Sequence, residues 1–315
     1  MTPARTHSIN NQASTPSRLD SLRAEIDTAL SDHLHRPSLD LSPRLLAAMR
    51  YSSLNGGKRL RALLCCATSR ALTGDHKPAL NAACALEMLH SYSLIHDDLP
   101  AMDDDTLRRG VPTCHIKFDE AEAILAGDAL QAEAFHLLTQ QPIAATTIVA
   151  MINSLAQAAG AAGMVGGQSL DMAVAGTTQG ELEQLHGAKT GALLSTSILL
   201  GAQIAGANPT TTELLHSAGS KLGLAFQVID DVLDVTAQTT ELGKDAGSDA
   251  VQGKLTFVNL LGIEGARDYS SELALSAEDA LDRALRAHTD DTGLAFPDDV
   301  ALLQEVTRAL VDRRF

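Results

Sequence analysis

Asp97-Asp98 with Asp103-Asp104-Asp105 form one acidic cluster, and Asp230-Asp231 with Asp234 form a second more than a hundred residues later. Carboxylates this dense repel one another, and bringing them together away from bulk water costs several kcal/mol. A cation is needed between them, and an all-oxygen donor set on a rigid scaffold selects Mg²⁺, which pairs carboxylates with substrate phosphates. Neither cluster has the central glycine and terminal glutamate of an EF-hand loop, which excludes that reading.

The second cluster sits in Gln227-Val228-Ile229-Asp230-Asp231-Val232-Leu233-Asp234, apolar on both sides and free of turn signals. Asp230 and Asp234 are then one helical turn apart on one face, with Asp231 on the flank. In the first cluster, Pro100 follows Asp97-Asp98, so the helix carrying them should kink or end there. Aspartates at a helix C-terminus oppose its dipole, a local penalty that a metal or Arg108-Arg109 would offset. Cations lie beside each cluster and beside a Gly-Gly turn: Lys58 and Arg61 after Gly56-Gly57, Arg108 and Arg109, then Lys244 and Lys254. Beside metal-bound carboxylates such groups would complete a diphosphate site, arginine by forked hydrogen bonds and lysine as a point charge.

The elements that must hold these residues read as helices. Leu22, Ile26 and Leu30 share a face after Ser17, Pro43 opens a second helix, and an apolar run from Leu60 to Leu72 ends at Thr73-Gly74-Asp75. Pro78 begins the helix bearing the first cluster. Further helices are expected over 120–138, 143–159, 179–189, 192–205, 211–235, 271–287 and 298–311. Gly166-Gly167-Gln168, followed by Asp171, reads as a glycine turn, and Lys189-Thr190-Gly191 as a helix C-terminus.

Hydrophobic residues make up 45% of the 315 and aromatics only 3%, which favours closely packed helices over a β-rich core. The expectation is an all-α domain over residues 18–315 behind a disordered tail, 1–17. A formal charge of −15, from 24 Lys+Arg against 39 Asp+Glu, argues against a nucleic-acid partner but not against anionic ligands drawn in by local cations. Four cysteines without a Cys-x-x-Cys pair suggest a reducing, cytoplasmic location. No run reaches the ~20 apolar residues of a membrane span.

Taken together, these motifs resemble the trans-isoprenyl diphosphate synthases, most closely the bacterial farnesyl diphosphate synthases. The carriers are Gly56-Gly57-Lys58-Arg59-Leu60-Arg61, His90 through Asp105, Arg108-Arg109-Gly110, Ala126-Gly127-Asp128-Ala129-Leu130, Gly166-Gly167-Gln168, Lys189-Thr190-Gly191 and Gln227 through Asp234. The resemblance implies the isoprenoid synthase fold, roughly a dozen helices around a deep cavity, usually as a homodimer. It implies that Asp97, Asp98, Asp103, Asp230, Asp231 and Asp234 hold Mg²⁺, three ions, with Mn²⁺ as a substitute. Arg108, Lys189, Thr190, Gln227, Lys244 and Lys254 would contact an allylic diphosphate, and Lys58, Arg61, His90 and Arg109 would bind isopentenyl diphosphate.

The implied reaction is head-to-tail condensation of isopentenyl diphosphate with dimethylallyl and geranyl diphosphate to farnesyl diphosphate. Metal and cations would stabilise the departing diphosphate, apolar walls would keep water from the allylic cation, and released diphosphate would take the proton. Tyr92 and Ser93 are implied to limit chain length, because Tyr92 lies about 7–8 Å down the helix from Asp97 at ~1.5 Å per residue. A geranylgeranyl or geranyl product is the alternative. Ala62 stands where relatives often have proline, and Gly253-Lys254-Leu255-Thr256-Phe257-Val258 replaces a Lys-Ser-Thr-Tyr-Pro type of sequence; both departures are expected at the edges of the site. Two rivals remain: an HD-type phosphohydrolase, suggested by His90 and His96-Asp97, and a non-catalytic prenyl synthase subunit.

Overall fold

The computed structural model describes residues 16–173, 178–236 and 255–312. Most of the anticipated tail, together with Lys244 and Lys254, lies outside them. The helices are α1 (Arg18–Leu34), α2 (Pro43–Leu54), α3 (Leu60–Thr73), α4 (Leu80–Asp97), α5 (Cys114–Phe118), α6 (Glu120–Thr139), α7 (Ala145–Ala159), α8 (Met164–Met172), α9 (Gln179–His186), α10 (Ala192–Ile204), α11 (Pro209–Thr236), α12 (Phe257–Thr292) and α13 (Pro297–Asp312). A hairpin of two-residue strands, β1 (Leu107–Arg108) and β2 (Val111–Pro112), is the sole sheet among the described residues. The all-α expectation holds.

Local chemistry starts and stops these helices. The Ser17 hydroxyl accepts from the Asp20 amide, the Ser42 hydroxyl accepts from Leu45 with Pro43 in the first turn, and Gly74 closes α3 in the left-handed conformation, each satisfying backbone groups a helix end leaves orphaned. The face foreseen in α1 is fully buried at Leu22, Ile26 and Leu30. Most of α3 and α4 is buried, and both contribute to one continuous apolar core, so the first cluster emerges from the centre of the molecule. A small residue admits close helix approach there: a Cβ on Gly127 of α6 would lie 2.2 Å from His96 Nε2, which gives the Ala126–Leu130 motif a packing duty.

Three sequence expectations require correction. Gly166-Gly167-Gln168 is not a turn but the middle of α8, because Gly167 faces the chain at Lys189, where a Cβ would meet the backbone nitrogen at 2.2 Å. Lys189-Thr190-Gly191 does not end a helix; residues 187–191 form a π-helical turn that joins α9 to α10, a feature that often marks functional sites. The helix expected from residue 271 begins fourteen residues earlier, at Phe257, and continues across a kink at Gly262. One stretch among the described residues, Ala145–Met172, is long and apolar enough for a membrane span by composition, but a turn at 160–163 divides it into α7 and α8.

Candidate active site

The helix bearing the first cluster ends at Asp97, and Asp98 caps it, as the nearby proline requires. The following loop turns back on itself: the Asp103 amide donates to the Asp97 carbonyl at 2.9 Å and the Asp104 amide to Leu99 at 3.1 Å, with Asp104 left-handed. This brings Asp103 to Asp97 despite five intervening residues. Asp98 is only 3% exposed. Arg108, held on β1, donates through Nε to Asp98 Oδ1 at 3.0 Å, pairs with the same oxygen through Nη2, and reaches Asp105 at 2.9 Å. The guanidinium so supplies the compensation that aspartates at a helix C-terminus demand.

Asp97 has no such direct partner among the described residues. Burial pushes its carboxyl up to about 6; Lys189 opposes the shift, while Asp103 and Asp98 add to it. Lys189, on the π turn, thus lies within the electrostatic field of the first cluster. Lys189 is itself held by Asp171 of α8 at 2.7 Å, a contact that depends on the bare backbone of Gly167.

From the same turn a hydrogen-bond chain leads into the second cluster. Thr190 Oγ1 donates to Gln227 Oε1 at 3.1 Å, Gln227 Nε2 donates to Asp231 Oδ1 at 3.1 Å, and the backbone amide of Phe257 donates to Asp231 Oδ2 at 2.8 Å. That amide opens α12, where Thr256 and Asn259 form a reciprocal cap, so a helix N-terminus faces the carboxylate. The departure at Leu255, Phe257 and Val258 is therefore not peripheral, since its backbone touches the cluster directly. Asp230 and Asp234 occupy successive turns of α11 as expected. Asp234 is 6% exposed, and its Oδ1 finds no hydrogen-bond partner among the described residues.

A second, cation-rich region lies behind the Gly-Gly turn. Arg109, left-handed on the hairpin, donates to the Gly56 carbonyl and lies over Gly57. His90 is held well below the usual histidine range by burial and then by Arg61, Arg109, Arg108 and Arg59, so its ring is neutral. Burial also lowers Arg61, with Glu87 opposing and Arg109 reinforcing. Lys58 is exposed on the preceding loop. Below Asp97, Ser93 is one turn back on the same face with its hydroxyl on the His90 carbonyl, whereas the buried Tyr92 ring stands edge-on to His96, 5.3 Å away.

Among the described residues no three acidic, histidine or cysteine side chains converge closely enough to hold a metal ion by themselves. The donor chemistry nevertheless fits a hard cation: the groups are carboxylates, Asp234 has an unpartnered buried oxygen, and Asp97 is destabilised by its acidic neighbours. Among the described residues, the histidine cluster that an HD-type phosphohydrolase needs is not formed. His96 bonds the Ile124 carbonyl at 3.1 Å, and His90 sits among arginines. Sequence reasoning overlooked Glu87, Asp171 as the partner of Lys189, and the Phe257 amide; only Asp171 left a signal, spaced to share a helix face with Gly167 and Gln168.

Comparison with known proteins agrees with this geometry. The polyprenyl synthetase family model matches residues 42–287. The chain is 44% identical to the farnesyl diphosphate synthase of Geobacillus stearothermophilus over 290 residues, 90% of this chain and 96% of that one. It is 45% identical to the chloroplastic geranylgeranyl pyrophosphate synthase 7 of Arabidopsis thaliana over 240 residues, 74% and 69% of the two chains. Its structure superposes on a Helicobacter pylori geranyltransferase, solved with magnesium and isoprenyl diphosphate, with a TM-score of 0.79 and 36% identity over 95% and 98% of the chains. A carboxylate pair of clusters around a lysine-bearing π turn, with an arginine pocket beside it, thus sits in a chain that belongs to the polyprenyl synthetase family of prenyltransferases.

Proposed function

We propose that the protein condenses isopentenyl diphosphate with dimethylallyl and then geranyl diphosphate to give farnesyl diphosphate. The observation that carries this reading is the separation of two diphosphate-type sites: carboxylates with Arg108 and Lys189 on one side, and Lys58, Arg61, neutral His90 and Arg109 on the other. An allylic electrophile that must ionise needs metal-supporting carboxylates; a nucleophilic diphosphate that must only be held needs cations. Asp97, Asp98, Asp103, Asp230, Asp231 and Asp234 would hold Mg²⁺, whose Lewis acidity stabilises the departing diphosphate. Arg108 and Lys189 bind that diphosphate, Thr190 and Gln227 orient it, and Lys244 and Lys254 are assigned to it by resemblance. The cation pocket presents the double bond of isopentenyl diphosphate to the allylic cation, and the apolar core beneath Asp97 excludes water.

Tyr92 and Ser93 are the proposed limits on product length. A geranylgeranyl product is the second reading, favoured by the similar identity to a geranylgeranyl pyrophosphate synthase. We also propose a cytoplasmic homodimer. Exposed apolar side chains on three adjoining helices, Ile116 on α5, Ile124 and Leu125 on α6 and Val149 on α7, support pairing.

Incubating the protein and Mg²⁺ with isopentenyl diphosphate and either allylic starter, then sizing the dephosphorylated products, tests the assignment. A fifteen-carbon alcohol from both starters is expected. A twenty-carbon alcohol selects the second reading, and no condensation by the folded protein returns it to the non-catalytic subunit class.

A further inference from the structure

Glu87 lies inside α4, 2% exposed, three residues before His90 and on no motif that carries the proposed chemistry. Around it three elements meet. Arg59, left-handed at φ 53° and itself 4% exposed, sends Nη1 to Glu87 at 3.3 Å, Nε to Asp27 of α1 at 2.7 Å, and Nη2 to the Ser53 carbonyl of α2 at 2.8 Å. The Ala62 amide, in the first turn of α3, donates to the other Glu87 oxygen at 3.4 Å. That amide has no intrahelical acceptor, because the ladder begins with Leu63 donating to Arg59. A proline here, as relatives often have, would lack the donor.

Arg59 and Ala62 bracket the stretch from which Lys58 and Arg61 project, and Arg61 and Arg109 both fall within the field of Glu87. Several guanidiniums at one place repel one another. We propose that Glu87, through Arg59 and the Ala62 amide, is a positioning residue for the cation pocket: a buried anion that fixes the spacing of Lys58, Arg61 and Arg109 for the diphosphate of the homoallylic substrate. The inference rests on the two-site reading above and extends it to a residue that touches no substrate.

Simple electrostatics and positioning predict opposite results, which makes the test decisive. Removing a negative charge beside an anion site should tighten diphosphate binding if Glu87 only tempers the potential; it should weaken binding if Glu87 holds the geometry. Steady-state kinetics of Glu87→Gln and Arg59→Lys, each against wild type, separate the two. The expected result is a KM for isopentenyl diphosphate raised roughly fivefold or more, with kcat and the allylic KM within about twofold. The double variant should be no worse than the poorer single. An unchanged or lowered isopentenyl KM overturns the proposal, as does an equal loss of kcat with both KM values intact, which a damaged fold would give. Arg59→Lys keeps a buried cation opposite Glu87 and decides the matter if Glu87→Gln fails to fold. A wild-type protein that condenses nothing refutes the two-site reading instead.

Discussion

The two aspartate clusters carry similar residues on unlike scaffolds. The first is assembled by a loop: Asp97 and Asp98 finish α4, Asp103 returns through a backbone bond, and Arg108 on the hairpin neutralises Asp98 and Asp105. The second rides one unbroken helix, where an amide side chain and a backbone N–H both donate to Asp231. A loop needs a countercharge to close over repelling carboxylates. A helix fixes its carboxylates through packing and can leave an oxygen such as Asp234 Oδ1 unmatched.

If both sides serve one site, damage to either should cost alike. Asp97→Ala and Asp230→Ala are each expected to lower turnover by roughly three orders of magnitude or more, with circular dichroism unchanged. Near-normal turnover in one of them would show that only the other cluster works. A smaller effect tests the turn between them: Asp171→Asn frees Lys189 and should raise the allylic KM about tenfold, leaving the isopentenyl KM unaltered. Tyr92→Ala should shift product from fifteen to twenty carbons without abolishing condensation, and an unchanged product would clear Tyr92 of setting length.

The smallest effect separates the clusters by pH. Because the folded state raises the Asp97 carboxyl to about 6, above its unfolded value, the native protein binds the proton more tightly. Metal-free stability from this group should then fall as pH rises from about 4 to 6, by roughly 1–3 kcal/mol. Asp97→Asn should abolish that contribution and raise the metal-free melting temperature at pH 7 by a few degrees, on the order of what such energies give. An equal pH trend in wild type and variant would place the effect elsewhere.

What the sequence revealed follows from which residues leave a pattern. Leu22, Ile26 and Leu30 announce a buried face by periodicity, and Asp230 with Asp234 announce a shared one. Glu87 gives no such signal, because a single acid in an apolar helix looks the same whether it meets Arg59 or water. Gly167 was misread for a related reason: glycine marks both turns and close helix contacts, and only the position of Lys189 against it distinguishes them. The π turn at 187–191 depends on how α8 and α11 flank it, information that is not local to Lys189-Thr190-Gly191. Phe257 acts through its backbone, which side-chain identity cannot disclose.

That backbone bond offers a direct readout. The Phe257 amide donates to a carboxylate in the proposed metal clamp, and a hydrogen-bonded amide proton is sensitive to the charge on its acceptor. Drawing electron density from Asp231 toward a bound cation would weaken the bond and move the proton resonance upfield. The Phe257 signal of ¹⁵N-phenylalanine-labelled protein, one of six, would then serve as an occupancy gauge for the second cluster, readable by titration without substrate or turnover.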